Sequence, residues 1–154
     1  MTIRNDTTTV NPSFSMTING TTTKTGTITW SSPTLPDDYT IISQTLTGTP
    51  TYSGKGNVSS LQVNGTDVEM DMQFSVNLGT TLKTSVSVNA RGVNRNSTGT
   101  LSIDDMTYTI NYQYDDGAGG TYNVKIGSTV INNIYLGNTK ITKVYIGNIL
   151  VFEV

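Results

Sequence analysis

Three carboxylates stand at alternate positions in one short run: Asp67, Glu69 and Asp71. On an extended strand, alternate residues share a face at about 7 Å spacing, close to the carboxyl separation of an inverting glycosidase. That chemistry needs one acid with a raised pKa in an apolar pocket and a second that activates water. The same carboxylates interleave with Val68, Met70 and Met72, so they also read as the solvated face of a half-buried strand. Trp30 is the only tryptophan, and nothing else marks a sugar cleft. The solvated face is the reading adopted, with a small glycoside hydrolase using one of these acids as the enzyme-class alternative.

Other chemistry is scarce. The chain has no histidine and no cysteine, which excludes thiol nucleophiles, disulfides, Ser-His-Asp triads and nearly all zinc and copper sites. Asp104-Asp105 and Asp115-Asp116 offer oxygen ligands, but the run Asp115 to Gly120 lacks the ligand spacing and distal Glu of a calcium loop. Gly54-Lys55-Gly56 and Gly117 to Gly120 resemble phosphate loops only in composition. No helix follows either, and no Gly-Lys-Ser/Thr stands at Walker spacing. Turns account for both. The expectation is a non-enzyme with no catalytic residues, no metal and no cofactor.

Composition narrows the partners. Of 154 residues only 13% are charged, with a formal net charge of -2. Such a balance argues against nucleic acid, because phosphate binding needs an excess of Lys and Arg. No apolar run approaches a membrane span, so no membrane insertion is expected. Met1 to Val10 has no apolar signal-peptide core, and the reading is a product made in the cytoplasm. Thr (29 residues), Asn and Gly (15 each) and Ser (14) make up close to half the chain. The rows Thr21 to Thr29 and Thr45 to Thr51, taken at alternate positions, read as polar outer faces. Gly48 and Pro50 are expected to break the second row.

The elements carrying these residues are strands. Val68, Met70, Met72, Phe74 and Val76 alternate with polar residues over Asp67 to Val76, predicting one half-buried strand. Leu82 to Val88 and Tyr108 to Tyr114 repeat the pattern, as do shorter sets at Phe14, Met16 and Ile18, Ile28 and Trp30, Leu61 and Val63, and Leu101 and Ile103. The expected core unites Val68, Met70, Met72, Phe74, Val76, Val86, Val88 and Ile110. Asn19-Gly20 and Asn64-Gly65 read as two-residue type I′ hairpin turns, Ser31 to Asp38 as a loop, and Asp115 to Gly120 as a hairpin tip. No window has helical periodicity. The fold class is therefore all-β: an antiparallel β-sandwich, jelly-roll or immunoglobulin-like, over residues 1–122, followed by short C-terminal β-hairpin repeats over 123–154.

The tail repeats with a period of ten. Val124 to Ile131, Ile134 to Ile141 and Val144 to Val151 align without gaps. Each reads apolar, middle, apolar, Gly, Asn or Ser, then a second apolar stretch. Gly followed by Asn or Ser suits a type II′ turn. That register pairs Leu136 with Thr139, Tyr135 with Lys140 and Ile134 with Ile141. A unit this small cannot bury its own face and needs a partner surface.

The segment Asn133 to Phe152, with Tyr135-Leu136-Gly137-Asn138 and Tyr145-Ile146-Gly147-Asn148 ten residues apart, resembles the C-terminal repeats of tailed-bacteriophage virion proteins. Those carry tandem hairpins of the form Lys-x-Tyr/Phe-x-Gly-x-x-x-Val. The resemblance covers about one fifth of the chain, and Lys125 departs from it where Tyr is expected. It implies a structural phage protein: a capsid decoration, head-fibre or tail-fibre subunit located in the virion. Its partners would be other virion proteins and copies of itself. A carbohydrate-binding module recognising a host-surface glycan is the alternative. The interface candidates are Tyr135, Lys140, Lys143 and Tyr145, which form either an outward surface or cross-strand pairs, and the terminal apolar run with Ile149, Leu150 and Phe152.

Overall fold

The computed structural model describes residues 3–115 and, in the tail, 124–126, 129–131, 134–136, 138–141, 143–146 and 149–153. Among these residues every regular element is a strand. The chain divides into two compact units, Asn5–Tyr114 and a second made of Met1–Arg4 with Asp115–Val154.

The larger unit is an antiparallel β-sandwich. Strands β1 (Ile3–Val10), β2 (Phe14–Asn19), β3 (Lys24–Thr29), β4 (Thr40–Lys55), β5 (Val58–Val63), β6 (Thr66–Asp67), β7 (Phe74–Asn77), β8 (Ser85–Gly92) and β9 (Thr98–Asp115) build it. One sheet has the order β1-β9-β4-β7, with β2 on the first half of β9; the other has the order β3-β8-β5-β6. Branched Thr, Val and Ile favour the pleated strand, and alternation gives each sheet one apolar face. Ile18, Leu46, Leu101, Tyr108 and Ile110 from the first sheet meet Ile28, Leu61, Val63, Val86, Val88 and Ala90 from the second in one buried cluster. The opposite faces carry Thr, Ser and Asn: Thr25, Thr27 and Thr29 pair with Asn89, Ser87 and Ser85, and Thr45 and Thr47 pair with Thr109 and Thr107.

Four sequence expectations are corrected. Asp67 to Val76 is not one strand: β6 stops at Asp67 and β7 starts at Phe74. Between them the chain crosses from one sheet to the other, through Asp71 at φ 60° with its N–H donating to the Pro50 carbonyl at 2.8 Å. Alternation survives at both ends and fails in the middle. Phe74 and Val76 are buried and Val68 and Met70 half-buried, but Met72 is 57% exposed. Asn19-Gly20 is not a hairpin turn, since β2 pairs with β9 and β3 with β8; only Gly20 of the two has positive φ. Asn64-Gly65 does join a hairpin, with both residues at positive φ and Val63 opposite Thr66. Nor do Gly48 and Pro50 break β4. A bulge between Thr47 and Thr49 absorbs the irregularity, and β7 has already ended opposite Gly48, so the missing Pro50 N–H costs no ladder bond.

In the second unit β10 (Val124–Ile126) pairs with β11 (Thr129–Ile131), β12 (Ile134–Leu136) with β13 (Thr139–Ile141), and β14 (Lys143–Ile146) with β15 (Ile149–Glu153). Val124 faces Ile131 as Ile134 faces Ile141, and Lys125 faces Val130 as Tyr135 faces Lys140. The third hairpin keeps this register at Tyr145 and Leu150, then bulges, so that Val144 faces Phe152 rather than Val151. The turn residues Gly127, Ser128, Gly137, Gly147 and Asn148 lie outside the described residues, as do Asp116 to Gly120.

Candidate functional site

The acidic row is positioned by the crossover after β6. Asp67 Oδ1 accepts from Gln62 Nε2 at 2.8 Å across the β5–β6 hairpin. Glu69 follows beside β5, where the Val68 N–H donates to the Leu61 carbonyl, and Asp71 sits at the bend. All three are exposed. Asp67 and Glu69 line a surface cavity of about 280 Å³ with Met72 and Phe74; Glu69 also lines one of about 300 Å³ with Asn57, Ser59 and Met70. No other carboxylate borders either cavity. A general acid held protonated at neutral pH needs an apolar enclosure, and an exposed row on one segment does not provide it.

Asp104 and Asp105 mark the β9 side of the Thr47–Thr49 bulge. Asp104 Oδ2 accepts from Thr51 Oγ1 at 2.9 Å, and Asp105 lies at φ 51°, where Asp is tolerated better than most residues. A polar depression of about 390 Å³ lies there, lined by Asn11, Pro12, Asp105, Met106 and Thr107. Among the described residues no three carboxylates converge as metal ligands would.

The largest of these cavities, about 550 Å³, opens beside the start of β4 and is lined by Tyr39, Thr40, Ile41, Thr80 and Leu82. Gly79, Thr81 and Lys83, which alternate with its Thr80 and Leu82, belong to a polar hub that sequence reasoning missed. Gln44 is fully buried. Its Nε2 donates to the carbonyls of Gly79 at 3.0 Å and Thr81 at 2.8 Å, and its Oε1 accepts from the Lys83 N–H at 3.1 Å and the Tyr108 hydroxyl at 2.5 Å. Trp30 Nε1 donates to the Lys83 carbonyl at 2.9 Å, and its ring lies 4.4 Å from that of Tyr108. The signal was weak: a bulge between Ile41 and Ser43 turns Ile42 outward and Gln44 inward, against simple alternation. Burial raises the Tyr108 pKa; burial and then the negative charge of Asp6 raise that of Tyr112, whose hydroxyl donates to Asp6 Oδ2 at 3.4 Å.

The tail candidates fall on three hairpins. Tyr135 and Lys140 are Cα partners. Tyr145 pairs with Leu150, Ile149 with Ile146, Lys143 with Glu153 and Phe152 with Val144. Lys143 is exposed. The side chains of Tyr135, Lys140, Tyr145, Ile149, Leu150 and Phe152 lie outside the described part of the structure. The backbone brings Tyr135 to Lys140 and places Tyr145 at the equivalent position one repeat later, whereas Lys143 belongs to the base of its hairpin.

No protein-family model matches this chain, and no curated protein is significantly similar to it.

Proposed function

We propose that this chain is a structural, non-enzymatic component of a bacteriophage particle that acts by assembly and surface display, as a capsid decoration, head-fibre or tail-fibre subunit. The observation that carries the reading is the tandem of three hairpins at ten-residue spacing, the first two in one register and the third keeping it next to its turn before a bulge. Isolated two-stranded hairpins are marginal in water, so a row of them gains stability by stacking on a neighbouring surface, and a second copy or another virion protein supplies one. The exposed acidic row and the sandwich, whose interior is filled by side chains, fit display better than catalysis. The tail is the docking element in this account, with Tyr135, Lys140, Lys143, Tyr145, Ile149, Leu150 and Phe152 as its contact residues.

A test is the protein content of purified particles of the phage that encodes the chain. The proposal expects the chain in particles at a fixed ratio to the major structural proteins. Finding it abundant in infected cells and absent from particles overturns the proposal.

A second reading, a module that recognises a host-surface glycan, is favoured by the hydroxyl- and amide-rich outer faces. It is compatible with the first.

A further inference from the structure

We propose that the end of the sandwich formed by the β2–β3, β4–β5 and β8–β9 links is a binding site for an acidic polysaccharide. Three links meet there: 20–23 from β2 to β3, 56–57 from β4 to β5, and 93–97 from β8 to β9. Each passes from one sheet to the other. They are knit together at backbone level. The Gly20 N–H donates to the Ser97 carbonyl at 2.8 Å, and the Val93 N–H donates to the Asn57 carbonyl at 2.9 Å. Ser97 is fully buried, and its hydroxyl accepts from the Asn94 N–H at 3.2 Å. A Cβ at Gly56 would lie 2.6 Å from that hydroxyl oxygen, and one at Gly92 would lie 2.7 Å from the Ser97 Cβ. Only glycine fits where the links approach so closely, and the result is a packed platform.

That platform carries the positive charge of an acidic domain. Between Asn5 and Tyr114 the chain has five Lys and Arg against eight Asp and Glu. Four of the five are at this end. Lys24 opens β3, Lys55 closes β4, Arg91 is the penultimate residue of β8, and Arg95 lies in the third link. Segments 19–25, 54–58 and 91–98 contain no carboxylate. All four cations are exposed, and among the described residues none takes part in a side-chain hydrogen bond or ion pair. Glu69, which borders a cavity with Asn57, is an acidic neighbour of the second link, but the four cations outnumber it, and a polyanion across them relieves their mutual repulsion.

The arrangement selects the polymer. Lys55 lies on the outer-face register of one sheet and Arg91 on that of the other, while Lys24 starts the edge strand β3 opposite Ala90 and Arg95 lies in the third link. Packed sheets stand about 10 Å apart, so the cations are spread around the end. Widely spaced charge matches a sugar chain bearing separate sulfate or carboxylate groups. It matches duplex DNA poorly, with one charge per about 1.7 Å of axis, and the excess of acids elsewhere in the domain repels so dense a polyanion. Single-stranded nucleic acid calls for exposed aromatic platforms; the three links contain no aromatic residue, and Tyr52 beside them is half-buried, its hydroxyl donating to the Lys55 carbonyl at 3.1 Å. Asn57 and Asn94 accept from the backbone N–H groups of Val58 and Asn96 through Oδ1, and their NH2 groups, with Asn96 and Thr21 to Thr23, add donors and hydroxyls suited to sugar hydroxyls.

The site rests on the glycan-recognition reading above, which it narrows to acidic polymers, and stands independently of the assembly role. The experiment measures binding of the full chain to heparin oligosaccharides, polysialic acid, neutral dextran and a short DNA duplex by titration calorimetry, at low and at physiological salt. Heparin, polysialic acid or both are expected to bind, with affinity falling about tenfold or more over that salt range; which of them binds identifies sulfate or carboxylate as the recognised group. The quadruple variant K24Q/K55Q/R91Q/R95Q is expected to lose binding, each single variant to weaken it a few-fold, and K83Q, the remaining cation of the domain, to leave it unchanged. If the quadruple variant fails to fold, the single variants against K83Q decide. Dextran binding as well as the acidic glycans, DNA binding more tightly than both, no acidic glycan binding at all, or K83Q weakening binding as much as the four, each overturns the proposal.

Discussion

The Tyr108 hydroxyl donates to Gln44 Oε1 at 2.5 Å, and both side chains are fully buried. Through this bond the middle of β9 is tied to β4, and through the rest of the amide β4 is tied to the return at Gly79, Thr81 and Lys83. Gln44 can make four hydrogen bonds in this geometry and makes all four. A buried network is stabilising only when satisfied throughout, because each orphaned group retains its desolvation cost.

Q44L therefore strands two carbonyls, an N–H and a hydroxyl, and is expected to destabilise the domain by at least about 3 kcal/mol. Y108F keeps the ring packing on Trp30 and removes one donor, with an expected loss of about 1–3 kcal/mol. Urea denaturation followed by the fluorescence of Trp30, the only tryptophan, measures both. Equal stability of Q44L and the parent would show that the hub carries no net stabilisation.

Alkaline sensitivity follows from the same burial. The pKa values of Tyr108 and Tyr112 are raised above the ordinary 10.0, so the unfolded chain releases these protons at lower pH than the folded one. Their contribution is fully present below about pH 10 and is lost as pH rises through the folded-state values. Stability measured by urea at stepped pH should be level with respect to these groups up to about pH 10 and fall beyond it, with a shallower fall in Y108F. A fall of the same steepness in Y108F contradicts the assignment.

Met72 and Val76 separate the crossover from the strand. M72D places a charge in solvent and is expected to change stability by no more than about 0.5 kcal/mol. V76D buries an unpaired carboxylate and is expected to cost about 4 kcal/mol or to prevent folding. Thermal melts of the two variants give the comparison, and a large loss in M72D would restore a continuous strand from Asp67.

The contrast between these two residues shows what period-two reading can and cannot deliver. Alternation reports which residues are apolar in turn, and for Val86 and Val88, Tyr108 to Tyr112 and Leu101 and Ile103 that coincided with the inward face because the strands run unbroken. Between Asp67 and Phe74 the same pattern continues through a change of sheet. The bend depends on a positive φ at Asp71 and a hydrogen bond to Pro50, and a non-local partner of that kind leaves no periodic trace. Asn64-Gly65 was legible because both residues tolerate positive φ. Asn19-Gly20 has the same composition, but its neighbouring strands pair elsewhere. Gln44 was hidden by a bulge, and the basic end by its dispersal over three links far apart in sequence. The tail register was readable since its pairing is local, within ten residues.

The measurement closest to the central claim is the sedimentation of the full chain beside a chain lacking residues 131–154, with Trp30 fluorescence confirming that the sandwich of each is folded. The account predicts that the full chain sediments as an oligomer and that the shortened chain sediments as a folded monomer. A full chain that is monomeric, or two chains of the same oligomeric state, would contradict the role of the hairpin tail as the assembly element.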